Sequence, residues 1–204
     1  MRSAASPAAM FNDRSSALSL LATRRSGRPR DLVEPGPSAD ELRRILEIAM
    51  RTPDHGKLHP WRFVHVARDR RGELAELLRR AYLAANPGAG RAELEAGERF
   101  AHQAPELIVV LSSPIPGHKI PLWEQQLSCG AAGMNLLMAA HAMGYAGGWV
   151  TGWAAYSGMV RDAFGASHER IAGFIFLGTP GAGLEERPRP AFEEVASAWG
   201  GLEA

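Results

Sequence analysis

One cysteine, Cys129, is present in 204 residues. No intramolecular disulfide and no cysteine-based zinc site can form, so a reducing cytoplasm is the default location. Cys129 lies in an apolar helical run among small residues, where packing outweighs nucleophilic chemistry. Charge of one sign is lacking too. The formal net charge is +1, and nothing in it suggests the strongly basic face of a bulk nucleic-acid binder. Lysine is scarce: Lys57 and Lys119 stand beside a large excess of arginine. Arginine suits planar and phosphate recognition, and the same bias follows from a GC-rich genome. No G-x-G-x-x-G or G-x-x-x-x-G-K-[ST] occurs, so the usual dinucleotide and P-loop devices are absent. H-E-x-x-H and G-x-S-x-G are missing as well. His55 and His59 lie in a proline-bounded loop rather than on one helix face, and no metal site is expected. The opening MRSAASPAAMFND lacks the long apolar core of a signal peptide. Residues 1–13 are expected to be a flexible extension and 14–204 one domain.

The composition is that of an ordinary globular protein, 46% hydrophobic and 22% charged. Helical patterns alternate with short strand patterns. A short helix is expected over 15–25, with Leu18, Leu21 and Ala22 at helical spacing and Asp13 or Ser15 as its cap. A proline-rich turn follows over Asp31–Pro37. Ser38 and Glu41 have the spacing of a capping box, opening a helix with the stripe Leu42, Ile45, Leu46 and Ala49. Strands are expected over 61–67, 106–112, 145–151 and 170–177, with ELIVVLS at 106–112 as a buried central one. Helices are expected over 69–86, 91–103 and 157–164. The longest element is a helix over 121–143, with almost no charge and a small-residue patch at Gly130–Gly133. Its length would span a membrane, but Glu124, Gln125, Gln126, Asn135 and the glycines oppose that reading. A helix buried on most sides is expected, in the core or at a homodimer interface. Together the elements give an α/β or α+β class with too few strands for a doubly wound nucleotide fold.

Two segments concentrate polar groups. Arg24-Arg25-Ser26-Gly27-Arg28-Pro29-Arg30 follows the first helix, as a solvated helix end or as an anion site. Arg51-Thr52-Pro53-Asp54-His55-Gly56-Lys57-Leu58-His59-Pro60-Trp61 joins a helix to a strand, as a rigid connector or as a holder of placed polar groups.

Taken in order, four segments resemble the nitroreductase family of flavoproteins, in its compact, short-chain subgroup. They are Arg24-Arg25-Ser26; Met50 to His55 with His59-Pro60-Trp61; His118-Lys119-Ile120-Pro121 with Trp123-Glu124-Gln125; and Gly147-Gly148-Trp149 with Gly178-Thr179-Pro180. The resemblance implies an α+β fold with a central mixed or antiparallel sheet flanked by helices, and the long buried helix at a homodimer interface. It implies FMN bound by both chains. Arg24, Arg25 and Ser26 would hold the phosphate and ribityl side, and Arg51 and His55 would reach the flavin from the partner. Trp149, Val150 and Thr151 would line the cofactor. The stretch Ala139, Ala140, His141, Ala142, Met143 and Gly144 matches a region associated with the nicotinamide nucleotide. Two departures stand out. Relatives often carry an arginine where Val150 stands, and the C-terminal basic residue for the phosphate has no clear counterpart beyond Arg187 or Arg189.

The chemistry so implied is that of an FMN-dependent NAD(P)H oxidoreductase, passing hydride by a ping-pong cycle to a nitroaromatic, quinone or similar small acceptor. The flavin carries the redox step, so no catalytic protein acid, base or nucleophile is required. Arg28, Arg51 or His55 could stabilise negative charge on the ring. The alternative is a flavin-binding or storage protein with little turnover. Dehalogenation or flavin breakdown on the same fold, and a metal-binding regulator, are more distant readings. Neither nucleic acid nor membrane is expected as a partner.

Overall fold

The computed structural model describes residues 11–200. Eight α-helices and five strands are formed by these residues. In chain order they are α1 (Ala17–Thr23), β1 (Leu32–Val33), α2 (Ala39–Ala49), β2 (Trp61–His65), α3 (Arg71–Ala85), α4 (Arg91–Ala101) and β3 (Glu106–Ser112). Then come α5 (Leu122–Ala142), β4 (Ala146–Val150), α6 (Trp153–Tyr156), α7 (Gly158–Phe164), β5 (Arg170–Pro180) and α8 (Phe192–Val195). Every strand pairing is antiparallel, and β5 takes three partners: β1, β3 and β4, with β2 added beyond β3. The class is therefore α+β.

The sheet is covered on both faces, which explains the unbroken apolar run of β3. Side chains alternate across a strand. Leu107, Val109 and Leu111 join Phe174 and Phe176 on one face, under Leu74 and Leu78 of α3. Ile108 and Val110 join Ile175 and Leu177 on the other, under Ile45 of α2 and Leu136 and Ala140 of α5. Helix α2 begins as expected. Ser38 Oγ accepts the Glu41 amide at 3.3 Å while the Glu41 carboxylate accepts the Ser38 amide at 2.9 Å.

Arg71 is a structural pin. Its buried guanidinium donates to Val66 O, Ala101 O, Gln103 O and Pro105 O. Burial pushes its pKa down to about 10, and the carbonyl partners replace the lost water. One of them, Ala101 O, lies at the carbonyl end of α4, where a cation is favoured.

Several elements depart from expectation. Ser16, not Asp13 or Ser15, caps α1, accepting the Ser19 amide at 3.0 Å. Leu18 and Leu21 are exposed, and Leu20 is the buried residue of that helix. The Asp31–Pro37 segment holds β1, whose two residues pair with Thr179 and Pro180 and so carry β5 past Leu177. Helix α6 was not foreseen. Helix α5 covers the sheet along one side only. Within a single chain it leaves Leu122, Trp123, Leu127 and Met134 exposed, Trp123 at 67%. The extension expected over 1–13 falls mainly on residues outside those described. Asn12 is tied down, its Oδ1 accepting the Arg25 amide at 2.8 Å and its Nδ2 donating to Arg25 O. No helix among the described residues is long and apolar enough to cross a membrane.

Candidate functional site

The arginine cluster after α1 is built against β4. Gly27 N donates to Gly147 O at 3.1 Å. A Cβ at Gly148 would lie 2.5 Å from Gly27 O, so the glycine is what lets this segment lie flat on the strand. Arg24 Nη1 donates to Ser26 Oγ at 3.1 Å. Arg24 is held below the usual guanidinium range by burial first, then by the nearby charges of Arg189 and Arg25. Of the two C-terminal arginines, Arg189 is the one whose charge acts on Arg24, and it lies 3.6 Å from Glu186. Arg25 is largely buried, and its Nε has no hydrogen-bond partner among the described residues. Glu186 lies 3.5 Å from it, near enough to offset charge but without hydrogen-bond geometry. Arg28 Nη2 donates to Glu185 at 2.6 Å. Between them lies a cavity of about 330 Å³ lined by Arg25, Ser26, Gly27, Arg28 and the tail up to Glu185. Two carboxylates of the chain's own tail therefore pair with the cluster as an anionic ligand would.

The Arg51–Trp61 loop is built differently. Its backbone is fixed at many points. Asn135 Nδ2 donates to Thr52 Oγ1, which donates to Ala49 O. Ser128 Oγ donates to Pro53 O at 2.7 Å. Asp54 accepts the His59 amide at 2.8 Å, a local anchor for the turn. Gly56, Lys57 and His59 all have positive φ, at 80°, 57° and 50°. Such conformations cost a non-glycine residue energy, and they persist where surrounding contacts dictate them. At Gly56 a Cβ would also meet Ile120 Cδ1 at 2.4 Å. The charged tips remain outward. Arg51 is exposed, and His55 Nδ1 meets Glu124 of α5 at 2.6 Å.

The Pro60 end of the loop and Gly27 lie at opposite ends of β3. Gly147, under Gly27, is opposite Leu177, which is opposite Glu106. Pro60 O instead accepts the amide of Ser113, just beyond β3. The six residue steps of β3 put Pro60 roughly 20 Å along the sheet from Gly27, while the Arg51 end of the loop is anchored on α5, where Asn135 bonds Thr52.

The other expected site residues are placed as follows. The Trp149 indole is committed to packing. Its Nε1 donates to Ala172 O at 3.1 Å, and the ring lies against Gly133, where a Cβ would come within 2.6 Å. Val150 points to the opposite face and packs on the apolar layer there. Thr151 is exposed. In the 139–144 stretch, Ala139, Ala140 and His141 are buried, with His141 and Gly144 beneath a cavity of about 330 Å³ that Asn12, Arg14 and Tyr145 also line. Only Ala142 and Gly144 are open, with Met143 half-buried. Both ring nitrogens of His141 lack partners among the described residues. Burial, then the charge of Arg24, pushes its pKa down to about 4, so the ring is neutral. Among the described residues no group of three or more potential metal ligands converges.

Residues 21–179 match the model of the Nitroreductase family, and the chain belongs to that family. It is 38% identical over 165 residues to "Putative NAD(P)H nitroreductase YdjA" of Escherichia coli (strain K12), covering 80% of this chain and 88% of that protein. Its fold is similar to a nitroreductase-like family protein from Bacillus cereus, with a TM-score of 0.75 at 21% identity, covering 92% of this chain and 97% of that one. It is also similar to a nitroreductase with bound FMN from Bacteroides fragilis, with a TM-score of 0.65 at 23% identity, covering 89% and 97%.

Proposed function

We propose that this member of the nitroreductase family is an FMN-dependent NAD(P)H oxidoreductase that works as a homodimer in the cytoplasm. The observation that carries the reading is the buried Arg25 Nε without a partner, beside a cavity lined by Arg25, Ser26 and Arg28 together with Asp31 and Glu185. A flavin phosphate matches that donor set. Arg24, Arg25, Ser26 and Arg189 would hold it, displacing Glu186 from Arg25. When bound, FMN supplies the redox chemistry, taking hydride from NAD(P)H and passing it in a ping-pong cycle to a nitroaromatic, quinone or similar acceptor.

The remaining tasks fall to the chain's own residues. The Arg51–Trp61 loop would serve the partner's site. Its fixed backbone holds Arg51 and His55 as ready donors toward developing negative charge. Glu124 orients the His55 ring through Nδ1. Exposed Leu18, Leu21, Trp123 and Leu127 are apolar area suited to a second copy. The Trp149 ring would act from behind, bracing β4 against α5, while Val150 and Thr151 border the cofactor with backbone and hydroxyl. Of the nucleotide stretch, Ala142, Met143 and Gly144 are the members free to meet NAD(P)H.

A second reading, flavin binding without turnover, is favoured by one observation: Val150 is turned into an apolar layer and brings no charge to the cofactor. A visible spectrum followed by anaerobic addition of NADH or NADPH separates the two. The expected result is a yellow protein bleached by one of the nucleotides. A yellow protein that neither bleaches supports binding alone, and a colourless protein that takes up no FMN contradicts both.

A further inference from the structure

A second pocket, of about 370 Å³, opens at the other end of the sheet, where β3 leaves for α5. Its floor and walls are apolar: Pro114, Ile115, Ile120 and Leu122. Its polar members include His118, His168 and Arg170, and no carboxylate lines it. The size lies at the small end of the range of about 300–1,000 Å³ for ligand pockets.

The walls are preformed. Gln125 is buried and spans the 113–121 loop, its Oε1 accepting the Ile115 amide at 2.9 Å and its Nε2 donating to Ile120 O at 3.0 Å. Ile120 N donates to His118 Nδ1 at 3.1 Å. That bond leaves the imidazole proton on Nε2, so His118 offers a donor from its free side. Arg170 projects from the start of β5, opposite Ser112. Among the described residues its guanidinium has no hydrogen bond or ion pair. The nearest acidic neighbour in sequence, Glu169, is spent. It is buried, pairs with Arg62 Nε at 3.0 Å and accepts the Ala166 amide at 2.6 Å. An apolar slot with a fixed positive charge and further donors at its rim is suited to a planar anion on an apolar body.

We propose that this pocket binds a small carboxylate carried on an apolar, ring-sized body. The site is separate from the Arg24–Ser26 cavity and does not depend on the flavin reading. It is joined to the Arg51–Trp61 loop, because Ile120 packs under Gly56 and Ser113 bonds to Pro60. An occupant would therefore lean on the loop from behind.

The test is a titration of the purified protein, with whatever cofactor it retains, using benzoate and its neutral analogue benzamide. Side-chain NMR of His118 and His168 reports the site. Benzoate should shift both rings and saturate. Arg170→Gln, an exposed substitution, should weaken benzoate by about tenfold, the usual size for loss of a charged partner. Benzamide should bind more weakly than benzoate to the parent protein and lose little in the variant. Arg99→Gln on α4 should change nothing. Four results would overturn the proposal: no saturable shift up to the solubility limit, equal binding of benzamide, benzoate affinity unchanged in Arg170→Gln, or a response confined to flavin absorbance while the two rings stay still. Loss of flavin from the preparation leaves this readout intact, so the two proposals fail separately.

Discussion

The Arg24–Ser26 cluster and the Arg51–Trp61 loop are both cationic, yet they solve opposite problems. The first is inward. Its arginines are crowded, partly dry and answered by carboxylates of the same chain, and one buried nitrogen is left over. The second is outward. Its backbone is overdetermined by Thr52, Ser128, Asn135 and Asp54, while Arg51 faces solvent. A cluster with one buried nitrogen unpaired and a rigid loop with an outward arginine are complementary needs. Pro60 and Gly27 lie roughly 20 Å apart along β3, and a second copy would bring its own loop to the cluster.

The largest test of this contrast is Trp123→Glu on the open side of α5. It should convert a dimer to monomers in analytical ultracentrifugation and release bound FMN, since a desolvated charge at an apolar contact costs several kcal/mol. A variant that stays dimeric would mean the loop meets its partner elsewhere.

Next comes His141, the neutral neighbour of Arg24. Its folded pKa of about 4 lies below the ordinary 6.5. The unfolded chain therefore binds the extra proton between those values, and stability falls as pH drops from about 6.5 through 4. The full effect is on the order of 3 kcal/mol. Urea unfolding at pH 7 and pH 4.5 should show this loss in the parent and a smaller one in His141→Leu. Equal losses would show that the proton goes elsewhere.

A smaller effect is expected from Gly56→Ala in the loop. Positive φ and the contact with Ile120 should cost about 1–3 kcal/mol in urea unfolding. The arginine cluster should keep its affinity for inorganic phosphate. A parallel loss there would erase the distinction between the two regions.

Much of the fold was legible because it rests on local rules. The Ser38–Glu41 capping box, the β3 run and the extent of α5 are all readable as spacing. What escaped depends on long-range partners. Leu32 and Val33 form a strand only because Thr179 and Pro180 lie beside them, and two residues among prolines carry no pattern. Arg71 looks like any helix-surface arginine until four carbonyls surround it. Arg189 joins Arg24 only through the path of the tail. At the site, the group that approaches Gly148 is the chain's own Gly27, a long-range neighbour that the glycine pair alone does not name. Trp149 is an aromatic beside a candidate site, yet its indole faces the core. The buried half of the 139–144 stretch was hidden for a similar reason, since small residues in a helix give no sign of which side is covered.

The most direct measurement is the affinity of the protein for FMN relative to riboflavin, which lacks the phosphate, in the parent, Arg24→Ala and His59→Ala. The parent should prefer FMN. Arg24→Ala should reduce that preference by about ten- to a hundredfold, the worth of a charged hydrogen-bond partner, and His59→Ala should leave it nearly intact. An equal preference in all three proteins would contradict the assignment of the arginine cluster as the phosphate site.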